Sequence, residues 1–125
     1  MSEFILHVTS RADWSAAQAR GQYSADSLVG QGFIHCSKVD QVIRVASVFY
    51  AGQTGLVLLV IDPRLLTSEL RWDPGADLAT ELFPHIYGPI NLDAVVQVVD
   101  FEPSADGNFH LPKSLEFAGH GQLMG

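Results

Sequence analysis

The fold is decided by the stretch Leu56–Ile61, which reads LVLLVI and is the longest apolar run in the sequence. Gly52 and Gly55 precede this run, and the turn-forming pair Asp62-Pro63 follows it. An unbroken apolar run of this length between turn signals predicts a strand that is buried on both faces. We therefore expect Leu56–Ile61 to belong to a central sheet with other parts of the chain packed on either side.

Further strands are predicted where apolar and β-branched residues alternate or cluster between turn signals. These strands are Phe4–Thr9, Phe33–Cys36, Leu70–Trp72, a region that begins at Ile86 and Tyr87, and Leu92–Phe101. Side chains alternate along a strand, so Ile5, His7 and Thr9 share one face of the first of them. Phe33, His35 and Ser37 share a face at the second.

Two helices are expected between the early strands. Ser10, with Asp13 three residues later, resembles a capping box, and Gly21 provides a stop for the helix that follows. In the segment Lys38–Tyr50, apolar residues recur every three or four positions, and Ser37 precedes the segment as its expected cap. The intervening segment Tyr23–Gln31 is predicted to be irregular.

The pattern of elements favours one mixed domain. Helices come early and strands late, which fits an α+β domain with a central split or mixed sheet and flanking helices. We place this domain at residues 1–112 and expect a loosely ordered C-terminal tail over residues 113–125, which is rich in glycine. The length of 125 residues leaves little room for a second domain.

Composition and charge exclude several functions. Seven Lys and Arg against 14 Asp and Glu give a net charge of −7, and no basic cluster is present, so we expect no nucleic-acid partner. No apolar run is long enough to span a bilayer, and the first residues lack the basic and apolar regions of a secretion signal. The single cysteine, Cys36, cannot form an internal disulfide. We therefore expect a cytoplasmic protein with no membrane partner, and the sequence leaves its oligomeric state open.

Three histidines are the main candidates for chemistry. His7, His35 and His85 each lie in or beside an apolar strand-like run, where a buried imidazole needs a hydrogen-bond partner. One interpretation is a set of separate core histidines, and another is a single site, with the imidazoles within about 10 Å of one another. A zinc site is a third interpretation, but the spacing has no metal-binding signature, so we expect no metal. Cys36 should point away from His35, which makes it a buried residue and not a nucleophile.

Aromatic and basic side chains offer the rest of a binding surface. Rings that could stack on a planar ligand are Tyr23, Tyr50, Trp72, Phe83 and Tyr87. Arg11 and Arg71 could hold an anionic group. No nucleophile elbow, phosphate-binding Gly-rich loop with Lys, or dinucleotide-binding Gly motif is present.

Three segments together resemble a bacterial family, the domain of unknown function 952. They are Ile5–Thr9 (ILHVT), Gly32–Ser37 (GFIHCS) and Phe83–Ile90 (FPHIYGPI), and the resemblance extends over about residues 4–112. The order of a strand histidine, then an aromatic-rich second strand, then a helix ending in aromatics is more distantly similar to the ADP-ribosyltransferase superfamily.

The superfamily resemblance implies specific roles for the histidines. It implies that His7 contacts the adenosine ribose of NAD, that His35 stacks on nicotinamide, and that His85 takes the third position. Strongly active relatives have Glu at that position. Thr9, Ser37, Arg71, Trp72 and Tyr87 complete the expected binding set. Related tRNA 2′-phosphotransferases need several arginines, which this acidic chain does not offer.

Three functions follow as alternatives. The first is a transferase that takes NAD as substrate, with His35 and His85 as catalytic residues. The second is a nucleotide sensor without turnover. The third is a small-molecule enzyme that uses His35 as a general base, for which an imidazole with a pKa near neutrality is suited.

Overall fold

The computed structural model describes residues 4–75 and 81–115. The strands are β1 (Ile5–Ser10), β2 (Gln22–Tyr23), β3 (Ile34–His35), β4 (Leu56–Ile61), β5 (Glu69–Pro74), β6 (Leu82–Tyr87), β7 (Ile90–Asn91) and β8 (Val95–Asp100). The helices are α1 (Arg11–Arg20), α2 (Asp26–Gln31) and α3 (Val42–Phe49), and short 3₁₀ turns cover Pro63–Leu65 and Leu92–Ala94.

These strands form two three-stranded sheets and one two-stranded ribbon. The first sheet has the order β1-β4-β8 and the second has the order β3-β6-β5, while β2 pairs with β7. Every pairing between these strands is antiparallel. The predicted α+β class is confirmed, with a split arrangement of antiparallel sheets and no parallel pairing among the described strands.

Strand β4 is buried on both faces, as its sequence predicts. None of its six residues is more than 3% exposed. Val57, Leu59 and Ile61 belong to a first core, which also contains Ile5 and the second sheet's Ile34 and Ile86. Leu56, Leu58 and Val60 belong to a second core, together with Leu6, Val42 and Phe101. The first sheet is therefore packed between the second sheet on one side and α3 with the chain's last described residues on the other.

Helix α1 begins and ends where the sequence predicts. The Asp13 N–H donates to Ser10 Oγ at 3.0 Å, which satisfies one of the free amides of the first turn. The helix ends at Gly21, whose φ of 90° lies in the left-handed region and whose N–H donates to the Ala17 carbonyl.

Two predictions between β1 and α3 are wrong. Tyr23–Gln31 is not irregular, because it contains helix α2, which lacks both a side-chain cap and an apolar repeat that would mark it in the sequence. Ser37 does not cap α3, since its backbone pairs with Leu6 instead. The Lys38 N–H donates to Gln41 Oε1 at 2.9 Å, and α3 starts only at Val42.

Two strand boundaries also differ from the prediction. Strand β6 begins at Leu82 and not at Ile86, so His85 lies inside a strand and not in the turn before it. Pro84 lies inside this strand, although proline is rare inside sheets. Leu92 begins a 3₁₀ turn, and strand β8 starts only at Val95.

Residues near the described C-terminus also contribute to the core. Leu115 is 1% exposed and packs in the second core. The expected tail over 113–125 falls mostly on residues 116–125, which lie outside the described ranges. In the described part of the chain, no helix is both long and apolar enough to cross a membrane.

Candidate functional site

The site lies at the seam between the two three-stranded sheets. Leu6 of β1 and Ser37, just after β3, exchange two N–H···O bonds of 2.8 Å. The Cys36 N–H donates to the Pro84 carbonyl at 3.0 Å, which holds the same segment against β6. The segment that follows β3 therefore joins both sheets, and it brings the histidines of β1 and β3 close together.

One face of the second sheet carries most of the polar side chains. Register places His35 of β3 and Arg71 of β5 on either side of His85 in β6. Side chains alternate along a strand, so Asp73 and Tyr87 lie on that same face, two positions away from this row. Sequence reasoning predicted four of these five residues and missed Asp73.

The rings of His35, His85 and Phe33 form one cluster. The ring centroids of His35 and His85 are 5.2 Å apart in an edge-to-face arrangement. Phe33 stacks on His85 with its centroid at 4.2 Å and an interplanar angle of 17°. This packing holds both imidazoles in place, and for this pair the distance is within the 10 Å predicted among the three histidines of a single site.

His85 and Tyr87 both contact one carboxylate oxygen of Asp73. The Tyr87 hydroxyl donates to Asp73 Oδ2 at 2.5 Å, and His85 Nδ1 lies 3.1 Å from the same oxygen. These two hydrogen bonds, from Tyr87 first and then from His85, lower the pKa of Asp73. An ionised carboxylate only accepts, so Nδ1 of His85 carries the hydrogen and the lone pair of the neutral ring is on Nε2.

His35 is held by the end of helix α2. Its Nε2 lies 2.5 Å from Gln31 Oε1, and because this oxygen only accepts, Nε2 carries the hydrogen and the lone pair of the neutral ring is on Nδ1. Burial, and then the nearby His85, lower the pKa of His35. His35 is therefore a neutral imidazole at pH 7 with a free basic nitrogen.

His7 has partners on both ring nitrogens. Its Nδ1 lies 2.6 Å from the His35 carbonyl oxygen, and its Nε2 lies 2.8 Å from the Tyr23 hydroxyl. That hydroxyl is also 2.9 Å from Thr9 Oγ1. Burial lowers the pKa of His7 to about 4, so the ring is neutral and donates from Nδ1 to the carbonyl. His7 thus links β1 to the backbone of His35.

Two cavities have His35 and Tyr50 in common in their walls. The smaller has a volume of about 280 Å³, and its wall is mainly apolar. It is lined by Gln31, His35, Val45, Phe49, Tyr50, Gly75, Phe83 and His85. The larger has a volume of about 490 Å³ and a mainly polar wall that includes His7, Thr9, Asp13, Arg20 and Asp26. We refer to the two cavities together as the cleft, with the first as its aromatic end and the second as its polar end.

The other predicted residues are placed less centrally. Trp72 lies between Arg71 and Asp73 in β5, so its side chain is on the opposite face from the histidines. Arg71 pairs with Glu69, and its guanidinium lies 4.4 Å from the centre of the Tyr87 ring. Ser37 is buried at the seam, where its backbone holds Leu6.

Sequence reasoning missed Asp73 and Gln31 for different reasons. The sequence Asp73-Pro74-Gly75 was interpreted as a turn, although strand alternation from Arg71 would have placed Asp73 on the histidine face. Gln31 reaches His35 through helix α2, which left no sequence signal. Arg11 forms ion pairs with Asp100 and Glu102 instead of facing the cleft.

Cys36 lies buried in the first core, and burial raises the pKa of its thiol. Across residues 4–75 and 81–115, no group of three or more His, Cys, Asp or Glu side chains is arranged to hold a metal ion. The described site therefore consists of imidazoles, aromatic rings, and hydroxyl, amide and carboxyl groups.

Comparison with known proteins shows where the chain belongs. The family model described as Protein of unknown function (DUF952) matches residues 8–98. The crystal structure of protein CC0527 from Caulobacter crescentus is similar over 90% of this chain and 98% of its own, with 33% identity and a TM-score of 0.80. The solution NMR structure of CC0527 covers 90% and 94%, with 32% identity and a TM-score of 0.73. No curated protein matches significantly. Because the family model matches most of its length, the chain belongs to the DUF952 family.

Proposed function

We propose that the cleft binds NAD, or a nucleotide closely related to it, and that the protein acts on this ligand as an ADP-ribosyltransferase-like enzyme. The observation that carries the proposal is that an aromatic cavity and a polar cavity share the wall residues His35 and Tyr50. A dinucleotide has the same two-part character, with a planar pyridine ring joined to ribose hydroxyls and phosphates.

The aromatic end suits the nicotinamide ring. Its volume of about 280 Å³ is close to the lower limit of roughly 300 Å³ for small-molecule pockets. Phe49, Tyr50 and Phe83 line this cavity and offer ring faces for stacking. His35 stands at its junction with the polar cavity, next to where the glycosidic bond of the bound ligand would lie.

The polar end suits ribose and phosphate. Asp13 and Asp26 line it, and carboxylates accept hydrogen bonds from ribose hydroxyls in other nucleotide sites. Arg20 also lines it and supplies a cation for a phosphate group. His7 acts in this proposal as a positioning residue, because both of its nitrogens already bind protein groups.

Calorimetric titration with NAD, ADP-ribose and nicotinamide tests the proposal. We expect NAD to bind, and at 100 times its Kd it should stabilise the fold by about 2.7 kcal/mol, visible as a rise in Tm. Phe49→Ser should weaken binding, because this exposed side chain lines the aromatic cavity. Val48→Ser is the matched control, since its neighbouring exposed side chain is not part of that lining.

Two results would separate the alternatives. Failure of NAD and ADP-ribose to bind at millimolar concentration would refute the proposal. Binding of NAD without any turnover would identify a nucleotide sensor and not a transferase.

A histidine-dependent small-molecule enzyme is the second candidate. It is favoured by the lowered pKa of His35, which leaves Nδ1 of this partly exposed ring as an available base. This candidate predicts that planar ligands without phosphate bind in the aromatic cavity. A fragment screen by NMR, repeated with Phe49→Ser, would detect such ligands.

A further inference from the structure

The proposed binding of a nucleotide makes no use of the pairing of His85 with Asp73, which has the geometry of a catalytic pair. Asp73 comes from β5 and His85 from β6, and the bond between Oδ2 and Nδ1 is 3.1 Å. The Tyr87 hydroxyl fixes the same oxygen from the other side at 2.5 Å. A carboxylate that holds one imidazole nitrogen orients the ring and stabilises the imidazolium that forms when the other nitrogen accepts a proton.

His85 is also placed at the inner wall of the aromatic cavity. Its side chain is 5% exposed, yet it lines this cavity together with His35. Phe33 stacks on one face of the ring, so the imidazole has little freedom to rotate. The other polar side chains of this wall are those of Gln31, His35 and Tyr50, and Gln31 is already bonded to His35.

We propose that His85, positioned by Asp73, is the general base of this cleft and that the acceptor it activates is water. The proposal rests on the binding of NAD described above, and it makes the reaction a hydrolysis of the bond between nicotinamide and ribose. The water oxygen bonds to the ribose C1′ while the C1′–N bond breaks, and its electron pair goes to the pyridinium nitrogen. One water proton passes to Nε2 of His85 and then to solvent, so the products are nicotinamide, ADP-ribose and a proton.

The size and burial of the site favour water over a larger acceptor. A water molecule takes up about 30 Å³, a small part of the cavity volume of about 280 Å³, so a ring and a water fit together. The side chain of a protein acceptor would have to pass the bound ligand to approach a base that is 5% exposed. Water reaches such a base without displacing the ligand.

The experiment incubates the protein with NAD and measures nicotinamide and free ADP-ribose by chromatography. We expect equal amounts of the two products and no ADP-ribose attached to protein. Asp73→Asn should lower kcat by about 10²-fold, which is the lower end of the range for general acid–base catalysis. The Kd for NAD should change less than about threefold. Tyr87→Phe should lower kcat by a smaller factor. Asp40→Asn, at an exposed carboxylate before α3, should leave kcat unchanged.

A second readout does not depend on turnover, and its main measurement needs only the wild-type protein. Nitrogen-15 NMR of the ligand-free protein should show the hydrogen of His85 on Nδ1, and Asp73→Asn should change this tautomer balance. Observation of the hydrogen on Nε2 in the wild-type protein would overturn the role given to Asp73.

The outcomes also separate this inference from the proposed function. If NAD binds but no nicotinamide is released, the hydrolytic inference fails and nucleotide binding stands. If nicotinamide is released but ADP-ribose is found on protein, the acceptor is not water. If NAD does not bind, both the proposed function and the hydrolysis are refuted.

Discussion

Acid should destabilise this protein through one buried side chain, His7. The folded-state pKa of His7 is about 4, against 6.5 for an unperturbed imidazole, because burial disfavours the charged ring. Between these values the unfolded chain binds a proton that the folded chain does not, so the lost stability grows as the pH falls from 6.5 toward 4. The full difference of about 2.5 units corresponds to about 3.4 kcal/mol, and about 2 kcal/mol of it is lost at pH 5.

The assay is urea unfolding of the wild type and of His7→Gln at pH 7 and pH 5. Glutamine cannot titrate. Lowering the pH from 7 to 5 should therefore reduce the free energy of unfolding of the wild type by about 2 kcal/mol more than that of His7→Gln. Titration of the carboxylates and of the other histidines cancels in this difference. His110→Gln, at an exposed position, is the control for the loss of an imidazole as such. Equal pH dependence of the wild type and His7→Gln would refute the assignment of His7 as a buried neutral histidine.

Three further predictions concern stability and reactivity. Tyr23→Phe should lower the free energy of unfolding, measured in urea, by about 1–3 kcal/mol, because Nε2 of the buried His7 loses its partner. An unchanged urea midpoint would contradict this hydrogen bond. Cys36 should react with a thiol reagent much more slowly in the native protein than in urea, since burial raises the pKa of its thiol; equal rates would show that the first core opens readily. Ser10→Ala should cost about 0.5–2 kcal/mol through loss of the α1 cap, and Ser10→Gly only a few tenths, both measured by urea unfolding.

The sequence predicted those elements whose signals are local. The apolar run of β4 predicts a buried strand, and α1 has both a capping serine and a terminal glycine. The alternation in β1 correctly separated Ile5 from Leu6, which lie in the first and second cores. Helix α2 was missed because it has neither a side-chain cap nor an apolar repeat.

The site was predictable in its histidines but not in their partners. An imidazole in an apolar strand is conspicuous in a sequence, and His35 and His85 do meet. Asp73 was not found because its role depends on the pairing of β5 with β6, which places it next to His85 across 12 residues of sequence. Pairing registers of this kind depend on the whole sheet, and no single segment contains them.

The seam between the sheets makes the cleft sensitive to a small movement of one sheet relative to the other. Hydrogen bonds join the two sheets across this seam. Two lie between Leu6 and Ser37, and another runs from His7 to the His35 carbonyl. If the seam loosened by even the length of one hydrogen bond, His35 would shift relative to the polar cavity while both sheets stayed intact. The backbone amides of Leu6 and Ser37 are therefore probes for movement at the site. Their hydrogen exchange should slow when a ligand bridges the two cavities, although neither residue lines them.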